Sequence, residues 1–144
     1  MNVSTNSAQS NHSQSDHSQP NHQPRQQAST TPAPIGQMRA DQLSERMAVL
    51  VAPLQLIDVR ELEEVSIAAI DGFTIWPLST FAEWSGAFLT EFDPHTETIV
   101  MCHHGVRSAY FCQWLQHQGF TNVKNLVGGI DAYSIAVDRN LRRY

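Results

Sequence analysis

The stretch "ETIVMCHHGVRSAYFCQWLQHQGF", residues 97–120, predicts a strand, a tight loop and a helix in direct succession. "TIVMC" is a short apolar run of the kind found in buried strands. "VRSAYFCQWLQHQG" carries apolar residues at helical spacing and ends in Gly119, where a glycine commonly closes a helix. A strand that leads through a short loop into a helix is the basic unit of a parallel α/β sheet.

The flanking sequence repeats this alternation. Because strands that alternate with helices pair in parallel, we predict an α/β fold with helices on both faces of the sheet. In such sheets ligands bind beyond the carboxyl ends of the strands, where Cys102 and the Gly128–Gly129 turn lie. The predicted strands are 54–59, 73–78, 98–102 and one within 122–129; the predicted helices are 38–50, 81–92 (capped by Ser79 or Thr80), 106–119 and 130–138, with a short helical or irregular piece at 60–70.

The N-terminal region differs in composition from the rest of the chain. Residues 1–34 consist mainly of Ser, Gln, Asn, His, Thr and Pro, and beyond Met1 and Val3 their apolar residues are all alanines. Such a segment cannot bury enough apolar surface to offset the entropy lost on ordering. We therefore predict a disordered tail over 1–36 and one domain over 37–144.

Charge and hydropathy limit the partners. The net charge of −5 lies entirely in the predicted domain, because Asp16 and Arg25 cancel in the tail. A mildly acidic domain without a basic face argues against nucleic acid as the main partner. Apolar runs stay well below the roughly 18 residues of a membrane span, and the start of the sequence lacks the pattern of a secretory signal. We expect a cytoplasmic monomer that binds neither nucleic acid nor membrane.

The residues "CHHGVRS", 102–108, contain the groups that a nucleophilic site requires. Gly105 supplies backbone freedom between strand and helix, and the first N–H groups of the helix have no internal partner. These donors and the positive end of the helix dipole stabilise an anion, here the thiolate of Cys102. Arg107 adds a planar cation suited to an oxyanion, and Ser108 adds a hydroxyl donor. Together they predict a nucleophilic thiolate with an anion-binding cradle.

The segment 102–108 resembles the active-site loop of the rhodanese family of sulfurtransferases. "LIDVR", 56–60, is similar to the family's Asp-x-Arg strand end, and "WPL", 76–78, to its following strand. "NLVGGIDAY", 125–133, resembles its glycine turn and last helix, with Tyr133 in place of the commoner Trp. The resemblance covers nearly all of 38–144. One departure is "IAAIDGF", 67–73, which lacks the family's Gly-His-Ile near Ala69.

The resemblance implies a parallel sheet of about five strands with helices on both sides, and no metal or organic cofactor. It implies that Cys102 carries a persulfide from a small sulfur-containing anion such as thiosulfate to cyanide or a thiol, with a sulfur-relay protein as a further candidate partner. It also implies that residues 103–107 wrap Cys102 with backbone N–H groups, and it assigns the loop residues to substrate binding and a second set to structural support. The binding set is His103, His104, Gly105, Val106, Arg107 and Ser108; the support set is Asp58, Arg60, Gly128 and Gly129.

Several residues keep a second interpretation. Arg107 binds a substrate anion or forms a structural salt bridge with a nearby carboxylate. Asp58 is expected to fix loop backbone amides, and Arg60 to pair with Glu63 or Glu64.

The adjacent His103 and His104 are expected to shape the pocket and its positive character at lower pH, not to bind metal. Cys112 and the three tryptophans read as core residues.

Two other functions remain open at the level of sequence. One alternative is a phosphatase or arsenate reductase of the same fold. The rhodanese-fold phosphatases resemble this loop but have one more residue between cysteine and arginine. Here Cys102 and Arg107 enclose four residues, 103–106, which favours attack on sulfur over the binding of phosphate. The other alternative is a non-catalytic regulatory module.

Overall fold

The computed structural model describes residues 33–49 and 51–144, together with Ser10. Most of the predicted tail, 1–36, lies outside the described residues. The elements are β1 Gly36–Met38, α1 Ala40–Ala48, β2 Leu54–Asp58, α2 Leu62–Ile67, β3 Thr74–Ile75, a 3₁₀ turn Leu78–Thr80, α3 Phe81–Glu91, β4 Glu97–Met101, α4 Val106–His117, β5 Val123–Leu126 and α5 Gly129–Ala136.

These strands form one five-stranded sheet in the order β1-β5-β4-β2-β3. Every pair of neighbouring strands is parallel. The α/β fold with a five-stranded parallel sheet is therefore confirmed. Because β4 lies in the middle of the sheet, its carboxyl end, where Cys102 follows, is flanked by the ends of β2 and β5.

Two apolar clusters cover the two faces of the sheet, since alternate residues of a strand point to opposite sides. On one face, Ile57 and Val100 pack with side chains of α3 and α4 such as Phe88 and Leu115. On the other face, Ile99 and its neighbours pack with α1 and α5. Helices on both faces thus bury the central strands and hold the site loop in place.

Three details differ from the sequence prediction. The strand β1 was missed: Gly36 pairs with Lys124 and lies within the segment assigned to the tail, while the first helix starts at Ala40 instead of Met38. The strand predicted at 73–78 shrinks to Thr74–Ile75, because the chain turns into a 3₁₀ helix after Pro77. Thr80 precedes α3, but its hydroxyl donates to the carbonyl of Pro77.

A helix that crosses a bilayer needs about 20 predominantly apolar residues. Within residues 33–49 and 51–144, no helix is long and apolar enough to cross a membrane.

Candidate active site

Cys102 lies at the carboxyl end of β4, and only 1% of its surface is exposed. The chain turns sharply to start α4 at Val106, and Gly105 makes this turn with a φ of 92°. Its N–H group donates a hydrogen bond to Sγ of Cys102 over 3.1 Å. Among the described residues, the backbone donor that reaches the sulfur is the one of Gly105, where the resemblance implied several from 103–107.

The first residues of α5 donate hydrogen bonds to the loop that follows β4. The N–H of Ile130 donates to the carbonyl of Cys102 over 3.0 Å, and that of Asp131 to the carbonyl of His103 over 3.1 Å. Any side chain at Gly129 would collide with these two carbonyl oxygens. The Gly128–Gly129 turn therefore allows the backbone of α5 to touch the loop.

Ser108 and Asn125 form a buried polar pair behind the sulfur. Oγ of Ser108 lies 3.2 Å from Sγ of Cys102 and 2.6 Å from Oδ1 of Asn125. Nδ2 of Asn125 donates to the carbonyl of Gly105 over 2.9 Å. Asn125, on β5, thus ties the loop and the first turn of α4 to the neighbouring strand.

Arg107 is held by a carboxylate. Its two terminal nitrogens donate to the carboxylate of Glu64 over 2.8 and 2.7 Å. The hydrogen bonds from Arg107 hold the pKa of Glu64 at about 2, well below its usual value, and the same contacts raise the pKa of Arg107. Arg107 was expected either to bind a substrate anion or to form a structural salt bridge, and the structure shows the salt bridge.

Asp58 and Arg60 form a fully buried ion pair instead of the pair expected between Arg60 and Glu63 or Glu64. Oδ1 of Asp58 accepts the backbone N–H of Arg60, as expected for a residue that fixes loop amides. Both carboxylate oxygens of Asp58 also accept hydrogen bonds from the guanidinium of Arg60. The expectation failed because the carboxylate of Glu64 is occupied by Arg107, and Glu64 offers Arg60 only its carbonyl oxygen.

The two loop histidines face the C-terminal segment. The ring of His103 stacks on that of Tyr144 at 3.8 Å and 11°, and the hydroxyl of Tyr144 donates to Glu64. Burial lowers the pKa of His103, so this ring is harder to charge than the sequence suggested. Nδ1 of His104 lies 3.9 Å from a carboxylate oxygen of Asp131.

Cys112 and the tryptophans occupy core positions, as predicted. Cys112 is completely buried on α4, and this burial raises the pKa of its thiol to about 12. Such a thiol stays protonated and is no nucleophile at neutral pH. Trp84 packs edge-on against Trp76 and Phe81 in the cluster over α3.

Sequence reasoning missed Asn125, Glu64 and Tyr144. A signal existed for Asn125, since an amide near the carboxyl end of a strand in a covered parallel sheet needs a buried partner. No such signal marks Glu64, which is one of three glutamates within four residues and lies 43 positions from Arg107.

Among the known proteins that are similar to this chain are two curated relatives. Rhodanese-like/PpiC domain-containing protein 12, chloroplastic, of Arabidopsis thaliana is 39% identical over 113 residues, covering 77% of this chain and 38% of that protein. Thiosulfate sulfurtransferase GlpE of Actinobacillus pleuropneumoniae is 46% identical over 48 residues, covering 33% of this chain and 44% of that protein. The chain therefore spans less than half the length of these two relatives.

A solved structure agrees with the fold. The rhodanese-like domain protein of Staphylococcus aureus superposes with a TM-score of 0.62 at 25% identity, covering 76% of this chain and 99% of that one. The profile of the family described as "Rhodanese-like domain" matches residues 39–136, which include the whole sheet except β1 and the complete loop from Cys102 to Ser108. The chain belongs to the rhodanese-like domain family.

Proposed function

We propose that this protein is a sulfurtransferase that carries sulfur as a persulfide on Cys102. The observation that supports this most strongly is the position of Sγ: it lies at a strand end, next to the N–H of Gly105 and before the first turn of α4. An anion at that position is stabilised by the unpaired donors and the dipole of the helix. The similarity to a protein named thiosulfate sulfurtransferase supports the same reaction.

The proposed reaction has two displacement steps. The thiolate of Cys102 attacks the outer sulfur of a donor such as thiosulfate, and the sulfur–sulfur bond of the donor breaks with its electron pair leaving on sulfite. The product is a persulfide whose negative charge sits on the terminal sulfur. Cyanide or an acceptor thiolate then attacks that sulfur, and the electron pair of the broken bond returns to Sγ. The two steps balance without a metal or an organic cofactor.

The length of the loop favours this reaction over phosphate chemistry. Cys102 and Arg107 enclose four residues, and the carbonyls of Cys102 and His103 are tied to α5. We expect a loop of this length to accommodate a single added sulfur atom on Sγ better than a phosphate with three equatorial oxygens. Phosphatase and arsenate reductase activities are therefore weaker alternatives, as is a regulatory module that keeps the cysteine without using it.

A direct comparison of substrates tests the proposal. Wild-type protein should turn over thiosulfate in the presence of cyanide and leave an aryl phosphate untouched. Insertion of one glycine between Gly105 and Val106 should widen the loop and reduce sulfur transfer. Turnover of the phosphate with none of the thiosulfate would contradict the sulfurtransferase assignment.

The cellular setting of the reaction is a separate set of predictions. A small sulfur-containing anion as donor, a thiol as acceptor, a sulfur-relay protein as partner, a monomeric state and a cytoplasmic location all stay predictions from the sequence. The Arabidopsis relative is named as chloroplastic. Gel filtration and localisation of a tagged full-length chain would test the last two.

A further inference from the structure

The polar pair behind the sulfur is fully enclosed. Ser108 is 0%, Cys102 1% and Asn125 5% exposed. Their contacts form one chain: Asn125 donates to the carbonyl of Gly105, and Oγ of Ser108 lies between Oδ1 of Asn125 and Sγ of Cys102. Because bulk water does not reach these atoms, each hydrogen bond has to be assigned among the three side chains and the loop.

The carbonyl of Gly105 fixes the orientation of the Asn125 amide. A carbonyl only accepts, so the amide must turn its NH₂ group toward Gly105 and its oxygen toward Ser108. The amide oxygen also only accepts, and it lies 2.6 Å from Oγ, a short hydroxyl hydrogen bond. The hydroxyl of Ser108 has a single proton, and that proton is therefore donated to Asn125.

Consequently, Ser108 presents a lone pair to Cys102. At 3.2 Å from Sγ, that lone pair accepts a hydrogen bond from the neutral thiol but repels a thiolate. The sequence predicts the opposite role, in which Ser108 donates its hydroxyl to the anion. The structure gives this donor role to the N–H of Gly105.

We infer that Asn125 is a positioning residue that withholds the proton of Ser108 from Cys102, so that the bare thiolate has the N–H of Gly105 but lacks the hydroxyl donor that Ser108 could supply. A persulfide escapes this penalty, because its Sγ carries two covalent bonds and the negative charge moves to the terminal sulfur. The proton placement follows from the buried geometry alone, whereas the advantage of the persulfide rests on the proposed function.

Ionisation of Cys102 tests the proton placement without any sulfur donor. Variants are made in the Cys112→Ser background, which leaves Cys102 as the one thiol of the sequence. The ultraviolet absorbance of the thiolate is followed against pH, with the matching Cys102→Ser protein as blank, so no reagent has to enter the buried site. Melting temperatures confirm that each variant is folded.

Ser108→Ala removes the lone pair, and the midpoint of ionisation should move to lower pH by roughly one pH unit. Asn125→Ala frees the Ser108 proton to reach the thiolate and should move the midpoint in the same direction. In the Ser108→Ala background, Asn125→Ala should add nothing further, because Asn125 acts through Ser108.

Each contrary result overturns the inference. If Ser108→Ala moves the midpoint to higher pH, the hydroxyl donates to the thiolate. An equal shift for Asn125→Ala with and without Ser108 would show that Asn125 acts through the carbonyl of Gly105 instead. Unchanged midpoints in both single variants would show that the pair has no electrostatic effect. If Asn125→Ala fails to fold, the direction in which Ser108→Ala moves the midpoint of Cys102 ionisation still decides whether the hydroxyl donates to the thiolate.

The substitutions at Ser108 and Asn125 replace none of the charged or titratable residues that surround the loop. Those residues are Arg107 with its partner Glu64, the loop residues His103 and His104, Asp131 on α5, the ion pair of Asp58 and Arg60 at the end of β2, and Tyr144.

The consequence for the persulfide has its own measurement. At a fixed ratio of thiosulfate to sulfite, Ser108→Ala should hold a smaller loaded fraction of Cys102 than the wild type. A larger fraction would contradict this consequence. Failure of the wild type to load from any donor would contradict the proposed function while leaving the ionisation result intact.

Discussion

At the scale of single residues, neighbouring atoms decide what each group can do. The two cysteines have the same side chain, but Cys102 lies beside a backbone donor at a helix start and Cys112 is enclosed by apolar side chains. The sequence already separated them, because one follows a strand and the other lies within a helical pattern. The proton of Ser108 could not be placed from sequence, since its orientation depends on Asn125, which lies 17 positions away.

Gly129 is the residue whose replacement should damage the site most through the backbone. Gly129→Ala places a methyl group against the carbonyls of Cys102 and His103, so we expect loss of sulfur transfer and a clear drop in melting temperature. Gly86→Ala is the control. Its Cβ meets nothing within 4 Å on α3, and alanine should stabilise that helix by about 0.5–1 kcal/mol. Equal melting temperatures for the two variants would contradict the collision.

At the scale of elements, the pair of Glu64 and Arg107 joins α2 to the first turn of α4. A donor anion approaching the loop therefore meets a cation that is already neutralised. Glu64→Gln should expose the charge of Arg107 and raise kcat/KM for thiosulfate about fivefold, corresponding to roughly 1 kcal/mol at this exposed mouth. Glu63→Gln, on the same helix, changes the net charge equally. An equal gain in both variants would show that only overall charge matters.

The same pair makes a pH-dependent contribution to stability. Because the pKa of Glu64 is depressed from 4.5 to about 2 in the folded protein, its contribution is complete above pH 4.5 and is lost as the pH falls toward 2. The free energy of unfolding of the wild type should therefore decline more steeply across this window than that of Glu64→Gln. Urea titrations at neutral pH and within the window compare the two. Parallel declines would show that the salt bridge does not form in solution.

At the scale of the whole molecule, the alternation of apolar runs predicted the α/β class and most element positions. The two edge strands, β1 and β3, were predicted less well. An edge strand pairs with one neighbour only, so its sequence carries a weaker pattern of apolar residues than that of a central strand. "GQM" in β1 has no β-branched residue, and Met38 directly precedes the segment in which Leu43 and Met47 follow helical spacing. Contacts between distant segments, such as that of Tyr144 with His103, have no local pattern at all.

The N-terminal segment provides a test at this scale. Deleting residues 1–34 should change neither the melting temperature nor turnover, because the removed residues are polar while Ile35 packs against the core and β1 starts at Gly36. Extending the deletion through Met38 removes β1 and the buried Met38 side chain, and should lower the melting temperature. A large loss of activity already in the shorter deletion would show that the tail contributes to the domain.

The central claim is that Cys102 carries the transferred sulfur, and mass spectrometry tests it most directly. After incubation with thiosulfate, the wild type and Cys112→Ser should gain the mass of one sulfur atom on the peptide containing Cys102, and a reductant should remove it. Cys102→Ser should gain nothing and should be inactive. Loading of Cys102→Ser, or sulfur found on Cys112 in the wild type, would contradict the account.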